Sequence, residues 1–211
     1  TKSSRVRFYT AINSTFLQFK TQSHKDIITS IFTSDLAKDT KSFIGYIQMG
    51  VNNELFYLLT TKVLLDLLLQ GRLTVDKQVF VSYIMNLRND NKENIKWTDE
   101  TIGTIAYKYL TLMKKLGFLK GTQKKEFNSF VPTDEMIILV VYLIDSLNLE
   151  YSSFLKNPYS SLLLMTNEGI MERLRRLSLQ NYLSVFTTGQ DIKIELKHNY
   201  KDIVGEIRKN Y

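Results

Sequence analysis

The chain has 211 residues, of which 44% are hydrophobic and 23% are charged, as is usual for a globular protein. It contains no cysteine, which excludes disulfides, thiol catalysis, zinc fingers and iron–sulfur clusters and fits a reducing cytoplasm. The net charge of +7 indicates a polyanionic partner such as DNA, RNA or an acidic membrane surface.

The first part of the chain, residues 1–72, is predicted to be helical. Apolar residues recur every three or four positions in two stretches and cover nearly all sides of a third, which predicts two amphipathic helices and one central core helix. These helices span residues 23–32, 39–49 and 53–69, and Ser23 is the predicted cap of the first one.

The middle part, residues 73–148, contains the best-defined helix. A helix over residues 76–87 comes first, and Thr98 then caps the next one because its hydroxyl can accept from a free amide of the first turn. Gly117 is the predicted end of that second helix. Its apolar positions fit one face of a 3.6-residue period, and they are 102, 105, 106, 109, 113 and 116.

Two short strands and another capped helix follow. Residues 118–120 and 127–131 are the predicted strands of a hairpin, and residues 121–125 form a basic turn between them. Thr133 is the predicted cap of a helix over residues 134–147, whose continuous apolar run indicates deep burial.

The last part, residues 149–211, repeats this order. An apolar stretch at residues 160–164 precedes a helix over residues 168–180, for which Asn167 is the predicted cap. Alternating residues then predict a second hairpin, and a closing helix follows it. The predicted strands are residues 183–187 and 192–196 around a turn at 188–190, and the closing helix is 200–209.

Helix, capped helix and hairpin therefore occur twice in succession. This order is typical of winged helix-turn-helix modules, in which the second helix enters the major groove and the hairpin contacts the adjacent backbone. The predicted fold class is mainly α with small β-hairpins, with a helical N-terminal part followed by two winged helix-turn-helix-like modules.

The polar face of the helix capped by Thr98 is the leading candidate for DNA contact. Residues 101–125 contain six lysines and no acid, so this face and the following turn form a local concentration of positive charge. Threonine hydroxyls can contact phosphate or base edges, and lysines neutralise phosphates. The alternative is an ordinary solvated helix face. The candidate residues are Thr101, Thr104, Lys108, Thr111, Lys114 and Lys115 on the helix, with Lys120, Lys124 and Lys125 on the hairpin.

Arg173 and Arg176 lie on the matching helix of the second module and are the weaker candidates for nucleic-acid contact. Glu172 precedes Arg176 by four residues, so ion pairs within the helix are the alternative role for these arginines. Two aromatic residues, Tyr107 and Tyr182, are candidates for stacking on bases or sugars, although core packing is the expected role of most aromatics here.

No catalytic, metal-binding or cofactor-binding constellation is expected, and the chain is not predicted to be an enzyme. His24 and His198 have no partner at metal-ligand spacing. Gly45 and Gly50 have the spacing of a phosphate loop, but the required Lys and Ser/Thr do not follow them. No apolar run approaches the roughly 20 residues of a membrane span, so no membrane insertion and a cytoplasmic location are expected.

Several segments together resemble a known family. The residues at 97–101, Trp-Thr-Asp-Glu-Thr, and at 116–120, Leu-Gly-Phe-Leu-Lys, are similar to the BrxA family of bacterial BREX phage-exclusion loci. The leucines at 162–164, the helix over 168–180 and the hairpin after Gly189 also resemble that family. The likeness covers roughly residues 60–200 and rests on structural motifs.

This resemblance implies a cytoplasmic accessory protein in a multi-gene antiviral system that separates self from phage DNA by methylation. The family is linked to DNA binding through winged helices, and it has also been compared with NusB-type RNA-binding antitermination factors. The sequence therefore predicts a double-stranded DNA-binding protein with weak sequence preference that acts with other BREX proteins. The alternatives are an RNA-binding factor and a protein adaptor that docks acidic partners through the same basic faces.

Overall fold

A computed structural model describes residues 2–90, 95–189 and 191–210. The protein is mainly helical: 65% of the described residues lie in helices, and the described ranges form two small antiparallel sheets. The predicted balance of helices and small hairpins is confirmed at this level.

The chain forms two compact units. Residues 54–131 form unit 2, whereas unit 1 combines residues 1–53 with residues 132–211. The chain therefore leaves unit 1 after its first helices and returns to it. The sequence predicts a division of the chain into residues 1–72, 73–148 and 149–211. This division rests on sequence modules rather than on contacts, and it stays a prediction.

Unit 1 begins with three helices, α1 (Lys2–Phe16), α2 (Gln22–Thr33) and α3 (Lys38–Asn52). The cap of α2 is Thr21, whose hydroxyl accepts from the His24 amide at 2.9 Å. The prediction of Ser23 as the cap is therefore wrong by two residues. Helix α1 is not predicted from the sequence, because its first half is exposed and shows no regular apolar period.

The predicted core helix of residues 53–69 is interrupted by a wider turn. It consists of α4 (Glu54–Leu58), a π-helical segment (Leu59–Leu64) and α5 (Leu65–Leu69). The hydroxyl of Thr60 donates to the carbonyl of Phe56 at 2.7 Å, within the segment that widens. Such threonine bonds compete with the backbone ladder and distort helices, which explains the departure from a regular α-helix.

Unit 2 continues with β1 (Thr74–Val75), α6 (Lys77–Asp90), α7 (Asp99–Lys115), β2 (Leu119–Lys120) and β3 (Lys125–Phe127). The strands form an antiparallel sheet in the order β1-β3-β2, in which Lys120 is opposite Glu126 and Val75 is opposite Lys125. The structure thus adds a strand to the predicted hairpin. Lys125 lies in β3 rather than in the turn, and β3 ends at Phe127 instead of continuing to residue 131.

Aromatic packing joins the helices of unit 2. The ring of Tyr109 lies 5.6 Å from that of Phe56 and 5.1 Å from that of Phe80, measured between centroids. Its hydroxyl is 3.1 Å from the Thr60 hydroxyl, so its polar end is satisfied. Burial raises the pKa of Tyr109, as expected for a neutral phenol in an apolar core. These contacts fix the inward face of α7 and leave its opposite face outward.

The chain returns to unit 1 through α8 (Asp134–Ser146). The Thr133 hydroxyl accepts from the Met136 amide at 3.2 Å, so the predicted cap is confirmed. Every residue from 136 to 144 is buried, as the continuous apolar run predicts. Two 3-10 helices follow, Phe154–Lys156 and Pro158–Leu163.

The end of unit 1 contains α9 (Asn167–Leu177), a hairpin of β4 (Leu183–Thr188) and β5 (Asp191–Leu196), and α10 (Ile203–Asn210). Thr166 caps α9 by accepting from the Gly169 amide at 3.0 Å, so the predicted cap Asn167 is wrong by one residue. Each strand is one residue longer than predicted. The predicted turn includes Gln190, which lies outside the described residues.

The assignment of residues 73–148 and 149–211 as winged helix-turn-helix modules stays a prediction. Within the part of the chain that the structure describes, no helix has both the length and the apolar composition to cross a bilayer.

Candidate nucleic-acid interface

The start of α7 is fixed by two sets of contacts. The Thr98 hydroxyl accepts from the Thr101 amide at 3.2 Å, which confirms the predicted cap. Arg88, at the end of α6, donates to Asp99 Oδ1 at 2.6 Å and to the carbonyl of Trp97 at 2.9 Å. This clamp between α6 and α7 is not predicted from the sequence, because its partners are about ten positions apart across a loop. It holds the first turn of α7 in place.

The predicted polar face of α7 is exposed. Burial follows the predicted period, with Ile102, Ala106, Tyr109 and Met113 buried on one side. On the other side lie exposed residues and the half-buried Thr111, as the predicted DNA contact requires. The exposed members of the predicted set are Thr101, Thr104, Lys108, Lys114 and Lys115.

The lysines of α7 have no acidic partner in the described parts of the chain. Lys108, Lys114 and Lys115 form no ion pair there with Asp or Glu. Lys114 and Lys115 lie in the last turn, where the helix dipole favours positive charge. The dipole accounts for these two lysines as stabilising groups, but it does not account for Lys108 in the middle of the helix.

The three threonines of the face differ in what their hydroxyls can still do. Thr111 donates to the Tyr107 carbonyl at 2.9 Å, and the Thr101 hydroxyl lies 3.0 Å from the Thr98 hydroxyl within the cap. Thr101 also follows Asp99 and Glu100, whose charges repel phosphate. Thr104 is therefore the threonine of this set best placed to donate a hydrogen bond to a ligand.

The hairpin after α7 carries two exposed lysines, one of them opposite an acid, and one half-buried lysine. Lys124 is exposed, and Lys120 is exposed but lies opposite Glu126 in the sheet. The half-buried Lys125 donates to the Thr122 carbonyl and, at 3.4 Å, to the Gly121 carbonyl. Its ammonium group thus stabilises the turn. The hairpin contributes positive charge mainly through Lys124.

The turn of the hairpin requires glycine at position 121. Gly121 has a φ of +86°, and a Cβ there would clash with the Lys124 carbonyl oxygen. Only glycine allows this close approach without strain. The turn that presents Lys124 is therefore tightly constrained.

The arginines of α9 are bound within unit 1. Arg173 donates to Asp134 Oδ1 at 2.5 Å and to the Pro132 carbonyl at 2.9 Å, and its side chain is only 17% exposed. Arg176 donates to the same Asp134 oxygen at 2.6 Å, although its side chain is 58% exposed. Among the described residues, the acid that meets these arginines is Asp134 rather than the expected Glu172.

Of the two stacking candidates, only Tyr107 is accessible. Tyr182 is buried, so the stacking prediction for it is wrong. Tyr107 is 62% exposed and lies on the same side of α7 as the lysines, although core packing is the expected role of most aromatics. The signal for its exposure is present in the sequence, since position 107 falls outside the apolar period of the helix.

His24 has a structural role in unit 1. Its Nδ1 accepts from the Lys20 amide at 3.1 Å, and its Nε2 donates to Gln48 at 2.7 Å. Burial, and to a lesser degree the charge of Lys20, lowers the pKa of His24, while the bond to Gln48 opposes this shift. Within the described ranges, no group of three or more His, Asp or Glu residues is arranged to hold a metal ion.

Comparison with protein-family models, with curated proteins and with solved structures finds no match to this chain. The functional interpretation of the α7 face therefore rests on its own residues.

Proposed function

We propose that this protein binds double-stranded DNA without catalysing a reaction, mainly through phosphate contacts and with weak sequence preference. Unit 2 acts in this proposal as a winged helix-turn-helix module, with α7 in the major groove and the β2–β3 turn against the adjacent backbone. The observation that carries it is the outward face of α7, whose three lysines meet no acid within the described residues.

The order of elements in unit 2 supports the winged-helix interpretation. Strand β1 precedes the helix pair α6 and α7, and β2 and β3 complete an antiparallel sheet with it. Because Gly117 ends α7 directly before β2, the lysines of the last helical turn and Lys124 belong to consecutive elements. A groove-bound helix with a flanking basic turn needs this succession.

The contacts of unit 1 are the weaker part of the proposal. Arg173 and Arg176 already donate hydrogen bonds to Asp134, so their contribution to DNA binding stays a prediction. Membership in the BrxA family and action with other BREX proteins in phage defence are likewise proposals, supported by the sequence resemblance alone. An RNA-binding factor and an adaptor for acidic proteins are the alternatives.

The test is the double variant Lys108→Glu with Lys115→Glu, measured by titration of a labelled DNA duplex over a salt series. Removal of one phosphate contact lowers the salt exponent by about 0.9. Without two such contacts, binding weakens on the order of 60-fold at about 0.1 M salt. The matched control is Lys25→Glu with Lys193→Glu, which makes the same charge change at exposed positions of unit 1.

The outcomes separate the alternatives. Weak binding by the α7 variant and near-normal binding by the control support the proposal, whereas an equal decrease in both would assign binding to net charge alone. Preference for structured RNA over duplex DNA at equal salt would favour the RNA-binding function. Salt-independent binding, or none, would leave the adaptor function.

A further inference from the structure

Tyr107 stands out on the proposed DNA-binding face because it is the large apolar side chain there. The residue is 62% exposed, although the same helix buries Tyr109 two positions later. Leaving an aromatic ring in water forgoes the free energy that its burial would supply. Within the described residues, the Tyr107 hydroxyl forms no hydrogen bond, and the residue is largely exposed to solvent.

The neighbours of Tyr107 leave room around the ring. Four positions are adjacent to it on the helix surface, three and four residues before and after it; three of them hold Thr104, Gly103 and Thr111, and the fourth holds Leu110, which is buried. A Cβ placed on Gly103 would meet nothing within 4 Å, so the preceding turn is open. The ring therefore rises above small neighbours.

The lysines of α7 lie at the two edges of the face that carries this ring, and Tyr107 is about 20° from the edge that holds Lys114. At roughly 100° per residue, Lys108 and Lys115 fall on one edge of the exposed face, and Lys114 falls about 110° away on the other edge. Tyr107, Thr104 and Thr111 lie between these edges. A helix in the major groove has the same order, with cations toward the two phosphate backbones and its central side chains toward the bases.

From this arrangement we infer that Tyr107 is the base-reading residue of the interface and packs its ring against thymine C5-methyl groups in the major groove. Apolar side chains distinguish thymine from the other bases by this methyl contact. The inference rests on the proposed function and deepens it, because it assigns the weak sequence preference to one side chain. It also separates DNA from RNA, since uracil lacks the methyl group.

The experiment compares two duplexes of the same A·T sequence, one containing thymine and the other containing deoxyuridine at every thymine position. The substitution removes only the methyl groups. Burial of one methyl group corresponds to about fourfold in the dissociation constant, so the protein should bind the thymine duplex at least about fourfold more tightly. Fluorescence anisotropy of a labelled duplex measures both constants at the same salt.

Three variants define the cause of the preference. Tyr107→Ala should bind both duplexes equally while keeping its salt dependence, because the lysines remain. Tyr107→Phe should keep the preference, because the ring rather than the hydroxyl makes the contact. Lys108→Gln should weaken both duplexes by the same factor. Circular dichroism checks that each variant is folded. We expect this because Tyr107 and Lys108 are both exposed.

Two results would overturn the inference while leaving the proposed function intact. One is equal affinity of the unaltered protein for the two duplexes. The other is a thymine preference that persists in Tyr107→Ala, which would place the methyl contact elsewhere. Absence of binding to either duplex would instead contradict the proposed function itself, and this inference with it.

Discussion

Helices α7 and α9 both carry several basic residues and are both followed by a hairpin, but their charges have different surroundings. On α7, Lys108 meets no acid in the described parts of the chain, whereas on α9 both Arg173 and Arg176 bind one oxygen of Asp134. The same sequence pattern therefore gives an open basic face in unit 2 and an internal ion-pair cluster in unit 1. Positive charge on a helix indicates a binding face only when no acid of the fold reaches it.

The difference arises from residues that are distant in sequence. Asp134 lies in the first turn of α8, where the helix dipole favours an anion, and it precedes Arg173 by 39 positions. Helix α7 has its own acids, Asp99 and Glu100, but they lie in its first turn, and Arg88 holds Asp99. The remaining length of α7 is thus left without a neutralising group.

The largest expected effect is the loss of stability when Arg173, which binds Asp134 within unit 1, is replaced. Arg173→Ala should lower the free energy of unfolding of unit 1 by about 2 kcal/mol. Removal of one partner from a fully buried ion pair costs roughly 3–5 kcal/mol. The expected cost is smaller because Arg176 still binds Asp134 and because the buried Arg173 Nε has no partner within the described residues.

The matched control for this change is Arg175→Ala on the same helix. Arg175 is exposed, so its removal should change stability by less than about 0.5 kcal/mol. Urea unfolding followed by circular dichroism measures both variants. Equal small effects would show that the Asp134 cluster does not stabilise unit 1, and the contrast between α7 and α9 would fail.

Much of this contrast is accessible from the sequence on the α7 side. The Thr98 cap, the buried period and the polar face depend on residues within one helix, and local patterns specify them. The partner of the arginines is not local, so Glu172 is the natural expectation and Asp134 is found only in the fold. The short strand β1 is missed for the same reason, because two residues, Thr74 and Val75, carry no alternation of their own.

Errors in the predicted helix starts have a related cause. Thr166 and Asn167 both have side chains that cap helices, and the same is true of Thr21 and Ser23. Sequence preference alone cannot choose between two capping residues so close together. The choice is made where the chain turns into the helix, and that turn is fixed by the packing of the preceding segment.

A second difference between the units is their response to acid, since both histidines of the chain lie in unit 1. The folded protein keeps His24 neutral because burial lowers its pKa, whereas the unfolded chain takes up a proton near pH 6.5. The stability contributed by neutral His24 is therefore complete above about pH 6.5 and is lost as pH falls toward the folded pKa.

The expected slope is at most about 1.4 kcal/mol per pH unit in that range. Unfolding free energies measured between pH 5 and 7.5 check it, and His24→Gln should remove the slope even though it lowers overall stability. An unchanged slope in this variant would assign the acid sensitivity to other groups. His24 lies in unit 1 and the proposed DNA-binding face lies in unit 2, so DNA binding of the folded protein should not follow this transition.

The next effect separates binding from stability on α7. Lys108→Ala should weaken duplex binding about eightfold at about 0.1 M salt, because one phosphate is no longer neutralised. It should change the unfolding free energy by less than about 0.5 kcal/mol, because Lys108 is exposed and forms no ion pair with a described residue. Lower stability with unchanged affinity would show that Lys108 stabilises the fold and does not bind DNA, which contradicts the role assigned to α7.

The smallest effect tests whether the outward face of α7 is open where Tyr107 rises from it. Gly103 lies within the helix, and a Cβ added there would have no heavy atom within 4 Å. Gly103→Ala should therefore stabilise unit 2 by roughly 0.5–1 kcal/mol, because alanine loses less backbone freedom than glycine in a helix. Fluorescence of Trp97, the one tryptophan of the chain, follows the unfolding of this unit. Unchanged affinity for a thymine duplex would show that the added methyl group does not reach the DNA, whereas weaker affinity would place position 103 at the contact itself.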